Sequence, residues 1–219
     1  MADGPKSFFL TPEVHAYVVA HGTPPDAAQR ALIEETAQLP MAGMQISPEQ
    51  GAFMTLLVRA LGVRNAVEVG TFTGYSAIAI ARGLPDDGHL LCCDVSEEWT
   101  AIARRAWAAA GVANKIALRL RPALDTLRAL PAEEHVDLAF VDADKPSYAA
   151  YYDELLPRLR PNGLMLVDNT LWGGAVLDAT TDDENTVALR GFNEMVAADD
   201  RVEVALLTLG DGLTLIRKR

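Results

Sequence analysis

The sequence has few cysteines, few aromatic residues and no excess of basic residues. Its 219 residues include two cysteines, and aromatic side chains make up 6%. Aspartate and glutamate number 30 against 19 lysine and arginine residues, so the formal net charge is -11. Nucleic acids and anionic membrane surfaces bind basic surfaces, and we therefore expect neither as a partner. A long uncharged apolar run is also lacking, so no transmembrane helix is expected.

The cysteines and histidines show no disulfide or metal-binding pattern. Cys92 and Cys93 are adjacent in a predicted strand, where successive side chains point to opposite faces. We therefore expect two buried thiols, which fits a reducing compartment. The four histidines lack ligand spacing, which argues against a zinc site. The segment 1–10 lacks the charged-then-apolar order of a signal peptide, and a cytoplasmic protein is expected.

The chain alternates predicted strands and helices after its first part. The length fits a single domain, 1–219, with a helical cap region at 1–45 and an α/β core at 46–219. Alternation of this kind predicts a parallel sheet with helices on both faces. The last two strands flank the tight turn Gly210-Asp-Gly212 and predict an antiparallel hairpin, giving seven strands in a mostly parallel sheet. The predicted strands are 66–69, 89–93, 116–121, 136–141, 163–167, 202–209 and 213–217, with helices at 75–82, 97–110, 123–130, 148–159 and 184–198.

Helix-start signals occur in the N-terminal part of the chain. Thr11 and Pro12 predict the start of a first helix, and 25–39 predicts a second. Further on, Ser47-Pro-Glu-Gln50 has the spacing of a capping box before an apolar stretch at 53–61. In a capping box the serine caps the helix and the glutamine side chain reaches back to the cap.

Polar residues follow two of the predicted strands directly. Asp142 and Lys145 come after the strand at 136–141, and Asp168 and Asn169 come after the strand at 163–167. Neighbouring parallel strands end at the same sheet edge, where open α/β folds bind ligands. Two carboxylates and an amide oxygen there predict a site for a hard cation, with Lys145 as a candidate base.

A glycine-containing turn follows the strand at 66–69. It runs Glu68-Val-Gly70-Thr-Phe-Thr-Gly74-Tyr-Ser76, and glycine lets a ligand approach the start of the next helix. Asp94 ends the following strand, where acidic residues bind ribose hydroxyls in nucleotide-binding folds. The spacing is not the dinucleotide fingerprint. A nucleoside with an amino group, such as S-adenosylmethionine, would suit Glu68 and Asp94; alternatively, the glycines only form a tight turn.

Taken in order, these motifs resemble the cation-dependent O-methyltransferases of the caffeoyl-CoA and catechol O-methyltransferase type, which have a Rossmann-like class I methyltransferase fold. Two departures, at Gln45-Ile-Ser47 and at Arg121, leave the identity of the methyl acceptor open. The resemblance extends from Met44 to the C-terminus. The matching segments are 44–53, 68–76, 84–88, 122–124, 141–145, 168–172 and 210–215.

The resemblance implies a role for each matching position. Lys145 would be the acid–base residue, and Asp142 would share in catalysis. Trp172, Met44 and Tyr151 would contact the substrate, although Trp172 could equally be a loop anchor and Lys145 could form a surface ion pair with Asp144. The implied metal ligands are Asp142, Asp168 and Asn169, and the implied cofactor contacts are Ile46, Glu68, Gly70, Thr71, Ser76, Asp94, Ala123, Asp142 and Asp144.

The implied reaction is metal-dependent transfer of a methyl group from S-adenosylmethionine to a hydroxyl of a vicinal diphenol. Mg²⁺ is the expected cation, with Mn²⁺ or Ca²⁺ as substitutes. The resemblance also implies a homodimer that acts on small phenolic molecules. Three alternatives remain: a metal-independent methyltransferase, a cofactor-binding domain without turnover, and a nicotinamide-dependent dehydrogenase. The last would leave Asp168 and Asn169 without a role.

Overall fold

The structure is a computed structural model that describes residues 11–219. The expectation about a signal peptide rests on residues outside this range. The described strands are β1 Asn65–Val69, β2 His89–Asp94, β3 Ile116–Leu120, β4 Val136–Val141, β5 Leu159–Val167, β6 Val202–Leu207 and β7 Leu213–Lys218. The described helices are α1 Pro12–His21, α2 Ala27–Thr36, α3 Pro48–Ala60, α4 Tyr75–Gly83, α5 Glu97–Ala109, α6 Ala123–Arg128, α7 Tyr148–Leu155 and α8 Glu184–Ala197.

The strands form one seven-stranded sheet in the order β3-β2-β1-β4-β5-β7-β6. The first five of these strands are parallel, whereas β7 runs antiparallel to both β5 and β6. The predicted fold class, including the C-terminal hairpin, is confirmed. The strand order reverses direction between β1 and β4, and ligands of open α/β sheets bind at such a switch point, beyond the carboxyl ends of the strands.

Helices cover both faces of the sheet, as the alternating pattern predicts. One core cluster joins the sheet to α3, α4 and α5, and a second joins its other face to α6, α7 and α8. Burial on both faces explains why the central strands are nearly continuous apolar runs, as in 136–141. Within residues 11–219, no helix is long and apolar enough to cross a bilayer.

The predicted boundaries are wrong between α7 and β5. The helix predicted at 148–159 ends at Leu155, and a short 3-10 turn, Leu156–Arg158, follows it. Pro157 lies in this turn, and proline has no N–H to donate to the preceding helical turn. The strand consequently begins at Leu159, four residues before the predicted Gly163, and it pairs with β4 across a register shift.

The predicted capping box at Ser47 is also wrong. The Ser47 side chain makes no capping hydrogen bond, although α3 does begin directly after it. A capping box forms instead at the start of α2, where the Asp26 carboxylate accepts from the Gln29 backbone N–H at 2.9 Å and the Gln29 side chain accepts from the Asp26 N–H at 3.2 Å. Arg82 of α4 donates to the Gln29 side chain at 3.0 Å, and this bond connects α2 to α4.

Candidate active site

A cavity of about 1080 Å³ opens at the carboxyl ends of β1, β2, β4 and β5. It therefore lies at the switch point of the sheet, as the strand-end motifs predict. Every predicted site residue except Glu68 lines it. These lining residues are Met44, Ile46, Gly70, Thr71, Ser76, Asp94, Ala123, Asp142, Asp144, Lys145, Tyr151, Asp168, Asn169 and Trp172.

Two of the three predicted cation ligands contact a lysine ammonium group. Lys145 Nζ donates to Asp142 Oδ1 at 3.1 Å and to Asn169 Oδ1 at 2.6 Å. The same nitrogen donates to the Tyr148 hydroxyl at 2.7 Å, and Lys145 is only 7% exposed. The surface ion pair with Asp144 that was the alternative for this lysine is therefore wrong, since the carboxylate that Lys145 contacts belongs to Asp142.

Asp168 is the most enclosed of the predicted ligands. It is 2% exposed, and its Oδ1 accepts from the Asn169 backbone N–H at 2.8 Å. Its Oδ2 accepts from Gln50 Nε2 at 2.7 Å. Burial and then the neighbouring charge of Asp142 raise the pKa of Asp168. A bound cation would oppose both effects, because it stabilises the ionised carboxylate.

The donor set fits a hard divalent cation. Within residues 11–219, no three histidine, cysteine, aspartate or glutamate side chains converge to hold a metal, so the Asn169 amide oxygen is needed as the third donor. Asn169 has a positive φ of 58°, a conformation that asparagine adopts more readily than most residues. Lys145 Nζ already attracts two of the three proposed ligands as a cation would. All-oxygen ligation of this kind suits Mg²⁺, Mn²⁺ or Ca²⁺.

Contacts within the protein itself require both glycines of the turn after β1. Gly70 has φ 86°, and a Cβ there would lie 1.8 Å from the Asp142 carbonyl oxygen. Gly74 has φ 88°, and a Cβ there would lie 2.5 Å from Trp107 Nε1. Close packing of the turn is thus sufficient to explain both glycines. The predicted cofactor contact of Gly70 remains a separate hypothesis, since Gly70 also lines the cavity.

Asp94 connects β2 to the glycine-containing turn. Its Oδ2 accepts from the backbone N–H groups of Thr71 and Phe72, each at 2.9 Å. Its Oδ1 accepts from those of Val95 and Ser96 at 2.7 and 2.8 Å. The carboxylate therefore fixes the shape of the turn, and it does so at the cavity wall where a ribose contact is predicted.

Glu68 does not reach the cavity. Val67 and Val69 face the core beneath α6, α7 and α8, so alternation along β1 turns Glu68 to the opposite face, toward Cys92 in the paired position of β2. Glu68 Oε2 accepts from Thr71 Oγ1 at 3.1 Å and from Cys92 Sγ at 3.2 Å. Its Oε1 is buried without a partner. A direct cofactor contact would require this side chain to turn.

Burial raises the pKa of Glu68 from 4.5 to about 7. The folded protein then holds a proton on Glu68 that the unfolded chain releases above pH 4.5, so stability falls as pH rises from 4.5 to 7. At roughly 1.4 kcal/mol per unit, the loss reaches about 3 kcal/mol. Glu68→Gln is expected to remove this loss in denaturant unfolding between pH 5 and 8. The exposed Glu133→Gln is the control; parallel pH profiles for Glu68→Gln and the unchanged chain would contradict the assignment.

Of the remaining predicted residues, Asp144 and Tyr151 form a second polar group on the cavity wall. The Tyr151 hydroxyl donates to Asp144 Oδ1 at 2.6 Å, and the Ser147 hydroxyl donates to Asp144 Oδ2. The Trp172 ring lies 5.6 Å from Lys145 Nζ and also packs on the core of the α7 side, so it is both a cavity wall and a loop anchor. Met44 is 43% exposed at the rim.

Four residues at the site have contacts that the sequence analysis did not predict. Gln50 was assigned to a capping box, and Tyr148 to a helix with no site role. Phe72 and Trp99 both line the cavity, and their rings pack edge to face with centroids 5.0 Å apart. The spacing of three between Lys145 and Tyr148 could have indicated their contact, because it places them one turn apart.

Comparison with known proteins identifies the family. A family model described as O-methyltransferase matches residues 23–219. Caffeoyl-CoA O-methyltransferase 2 of Zea mays is 38% identical, over 98% of this chain and 86% of its own length. Catechol O-methyltransferase domain-containing protein 1 of Mus musculus is 38% identical, over 92% of this chain and 78% of its own. The O-methyltransferase from Bacillus cereus, solved in complex with SAH, is 33% identical with a TM-score of 0.88, over 94% of this chain and 97% of that chain. The chain belongs to the O-methyltransferase family.

Proposed function

We propose that this protein transfers a methyl group from S-adenosylmethionine to one hydroxyl of a vicinal diphenol, with a divalent cation bound at the site. The observation that carries the proposal is the convergence of Asp142 and Asn169 on the Lys145 ammonium group, next to the buried carboxylate of Asp168. Two carboxylates, an amide oxygen and a lysine at one cavity wall suit a weakly acidic hydroxyl that must lose its proton.

Asp142, Asp168 and Asn169 are the residues proposed to hold the cation. When bound, a divalent cation supplies positive charge that lowers the pKa of an oxygen acid and restricts its orientation. Only three protein oxygens are proposed as ligands, which leaves room for oxygen atoms of a small molecule in the usual sixfold arrangement of Mg²⁺.

Lys145 is proposed to take the proton from the hydroxyl. Its Nζ is within hydrogen-bonding distance of Asp142, Asn169 and the Tyr148 hydroxyl. The nitrogen must be an uncharged amine when it accepts the proton. The Tyr148 hydroxyl in turn donates to the Asp168 carbonyl oxygen at 3.1 Å, which fixes the tyrosine and through it the position of Nζ.

S-Adenosylmethionine is proposed to bind along the turn after β1. SAH in the Bacillus cereus relative supports this choice, because SAH is the product that S-adenosylmethionine leaves after methyl transfer. The aromatic pair Phe72 and Trp99 offers an apolar wall for a base near Asp94. Gly70 and Asp144 line the same cavity as the proposed cation ligands. Glu68 would contribute indirectly, because its carboxylate accepts a hydrogen bond from the Thr71 side chain of the turn.

The proposed acceptor class rests on the names of the relatives and on the donor set. Caffeoyl-CoA and catechol, which appear in those names, both carry adjacent phenolic hydroxyls. Two adjacent hydroxyls could both bind one divalent cation, whereas a single hydroxyl offers it one oxygen. We further propose a cytoplasmic location and a homodimer; light scattering of the purified chain would test the homodimer.

A panel of phenols tests the proposed function. We expect methylation of vicinal diphenols such as catechol and caffeate with Mg²⁺ present, and loss of that activity in excess chelator. Resorcinol and phenol, which lack adjacent hydroxyls, are the matched controls and should remain unmethylated. Mass spectrometry of the products measures the outcome. Equal turnover with and without chelator would support the metal-independent alternative, and SAH binding with no turnover on any phenol would support a cofactor-binding domain.

A further inference from the structure

Gln50 joins the N-terminal helical part of the chain to the proposed cation site. It lies in the first turns of α3, 118 residues before Asp168 in sequence, and its Nε2 donates to Asp168 Oδ2 at 2.7 Å. Both side chains are 2% exposed, so water has little access to this contact. Gln50 and Ser47 form no capping box. The Gln50 amide instead donates to Asp168.

The Gln50 contact fixes one oxygen of a carboxylate whose other oxygen is fixed already. The Asn169 backbone N–H holds Oδ1, and the Gln50 amide holds Oδ2, so rotation of the carboxylate would break at least one bond. Each carboxylate oxygen can accept two hydrogen bonds, so a further lone pair on each stays free for a cation. The amide is neutral, so it orients the carboxylate without competing as a second positive charge.

The hairpin between β6 and β7 leaves space for the Gln50 amide. A Cβ at Gly210 would lie 2.6 Å from Gln50 Oε1, and the residue has a positive φ of 56°. A larger residue there would press on the far side of the amide. Gln50 is thus enclosed between the hairpin turn and the end of β5.

Resting on the proposed function, we propose that Gln50 is a positioning residue that holds the Asp168 carboxylate in the orientation required to bind the divalent cation. Partners of this kind, which orient a metal ligand without touching the metal, commonly affect affinity by about 10- to 100-fold. Gln50 therefore acts on cation affinity through Asp168, because its side-chain hydrogen bond is to Asp168 and not to the turn after β1.

Titration calorimetry with MnCl₂ on the full-length chain tests this role. Gln50→Met removes the amide at nearly constant length, and Gln50→Leu is a second substitution in case the first does not fold. We expect Mn²⁺ affinity to fall about 10- to 100-fold in either variant, while SAH affinity, measured in the same way, stays unchanged. Gln29→Ala is the control: it removes another largely buried glutamine, 8% exposed, whose side chain accepts from the Asp26 backbone N–H and from Arg82 and does not contact Asp168.

The outcomes separate this inference from the proposed function. Unchanged Mn²⁺ affinity in folded Gln50→Met would overturn the role of Gln50 and leave the proposed metal site standing. Parallel losses of Mn²⁺ and SAH affinity would also overturn it, since they would show a general structural effect. If the unchanged chain binds no Mn²⁺, the proposed metal dependence fails, and this inference fails with it.

Discussion

Replacing Asp168 with alanine is expected to abolish methylation of a vicinal diphenol. The buried carboxylate is one of the two that are proposed to hold the cation, and the neutral amide oxygen of Asn169 is a weaker ligand for a hard cation than a carboxylate is. A metal ion typically contributes several kcal/mol to a reaction that develops negative charge on oxygen, so the rate should fall roughly a thousandfold. Initial rates over a range of Mg²⁺ concentrations, followed by product mass, measure the loss.

The Asp168→Ala result needs a control for folding and for loss of charge. Asp182→Ala removes an exposed aspartate, and it is expected to keep full activity. Retained SAH binding in Asp168→Ala would show that the turn after β1 is intact, so the loss could be assigned to the cation site. Full turnover by Asp168→Ala in excess chelator would disprove metal-dependent catalysis at this residue.

The sequence was sufficient for the fold because each element has a strong local pattern. The central strands are apolar runs bounded by turn residues, and the helices between them have short connections. The same pattern located the polar residues that are proposed to hold the cation. Residues that directly follow parallel strands must meet at one sheet edge, which brought Asp142 and Asp168 together without any knowledge of the contacts.

The position of Glu68 was open to prediction from the same pattern but was missed. Alternation along a strand places Val67 and Val69 on one face and Glu68 on the other. Proximity to the glycine turn suggested a cofactor contact, whereas alternation places the Glu68 side chain against Thr71 and Cys92. Val69, on the face of β1 opposite Glu68, lines the cavity together with residues that follow the strand, whereas Glu68 does not.

The contact of Gln50 could not be predicted from local sequence. Ser47-Pro-Glu-Gln50 satisfies the capping-box spacing, and nothing nearby distinguishes a glutamine that caps its own helix from one that reaches a distant carboxylate. The partner is 118 residues away and becomes adjacent only when α3 packs beside the end of β5. Contacts of this kind depend on tertiary packing, which overrides the local signal.

Replacing Lys145 with methionine is expected to reduce kcat about 10²- to 10⁴-fold, the usual contribution of general acid–base catalysis. Mn²⁺ affinity should not decrease. In the structure Lys145 Nζ occupies hydrogen-bonding positions of Asp142 and Asn169, so its removal frees two proposed ligands from a competing positive charge. Turnover and cation affinity are therefore expected to change independently; steady-state kinetics measures kcat, and titration calorimetry measures Mn²⁺ affinity.

Independent changes in kcat and Mn²⁺ affinity distinguish a proton acceptor from a residue that only organises the site. Lys115→Met is the matched control, because Lys115 is another enclosed lysine and donates to the carbonyl oxygens of Ala81 and Leu84. It is expected to leave kcat unchanged even where it lowers stability. If Lys145→Met lost Mn²⁺ affinity in proportion to kcat, the lysine would serve to assemble the ligands. Undiminished kcat would instead require the proton to leave without any help from this nitrogen.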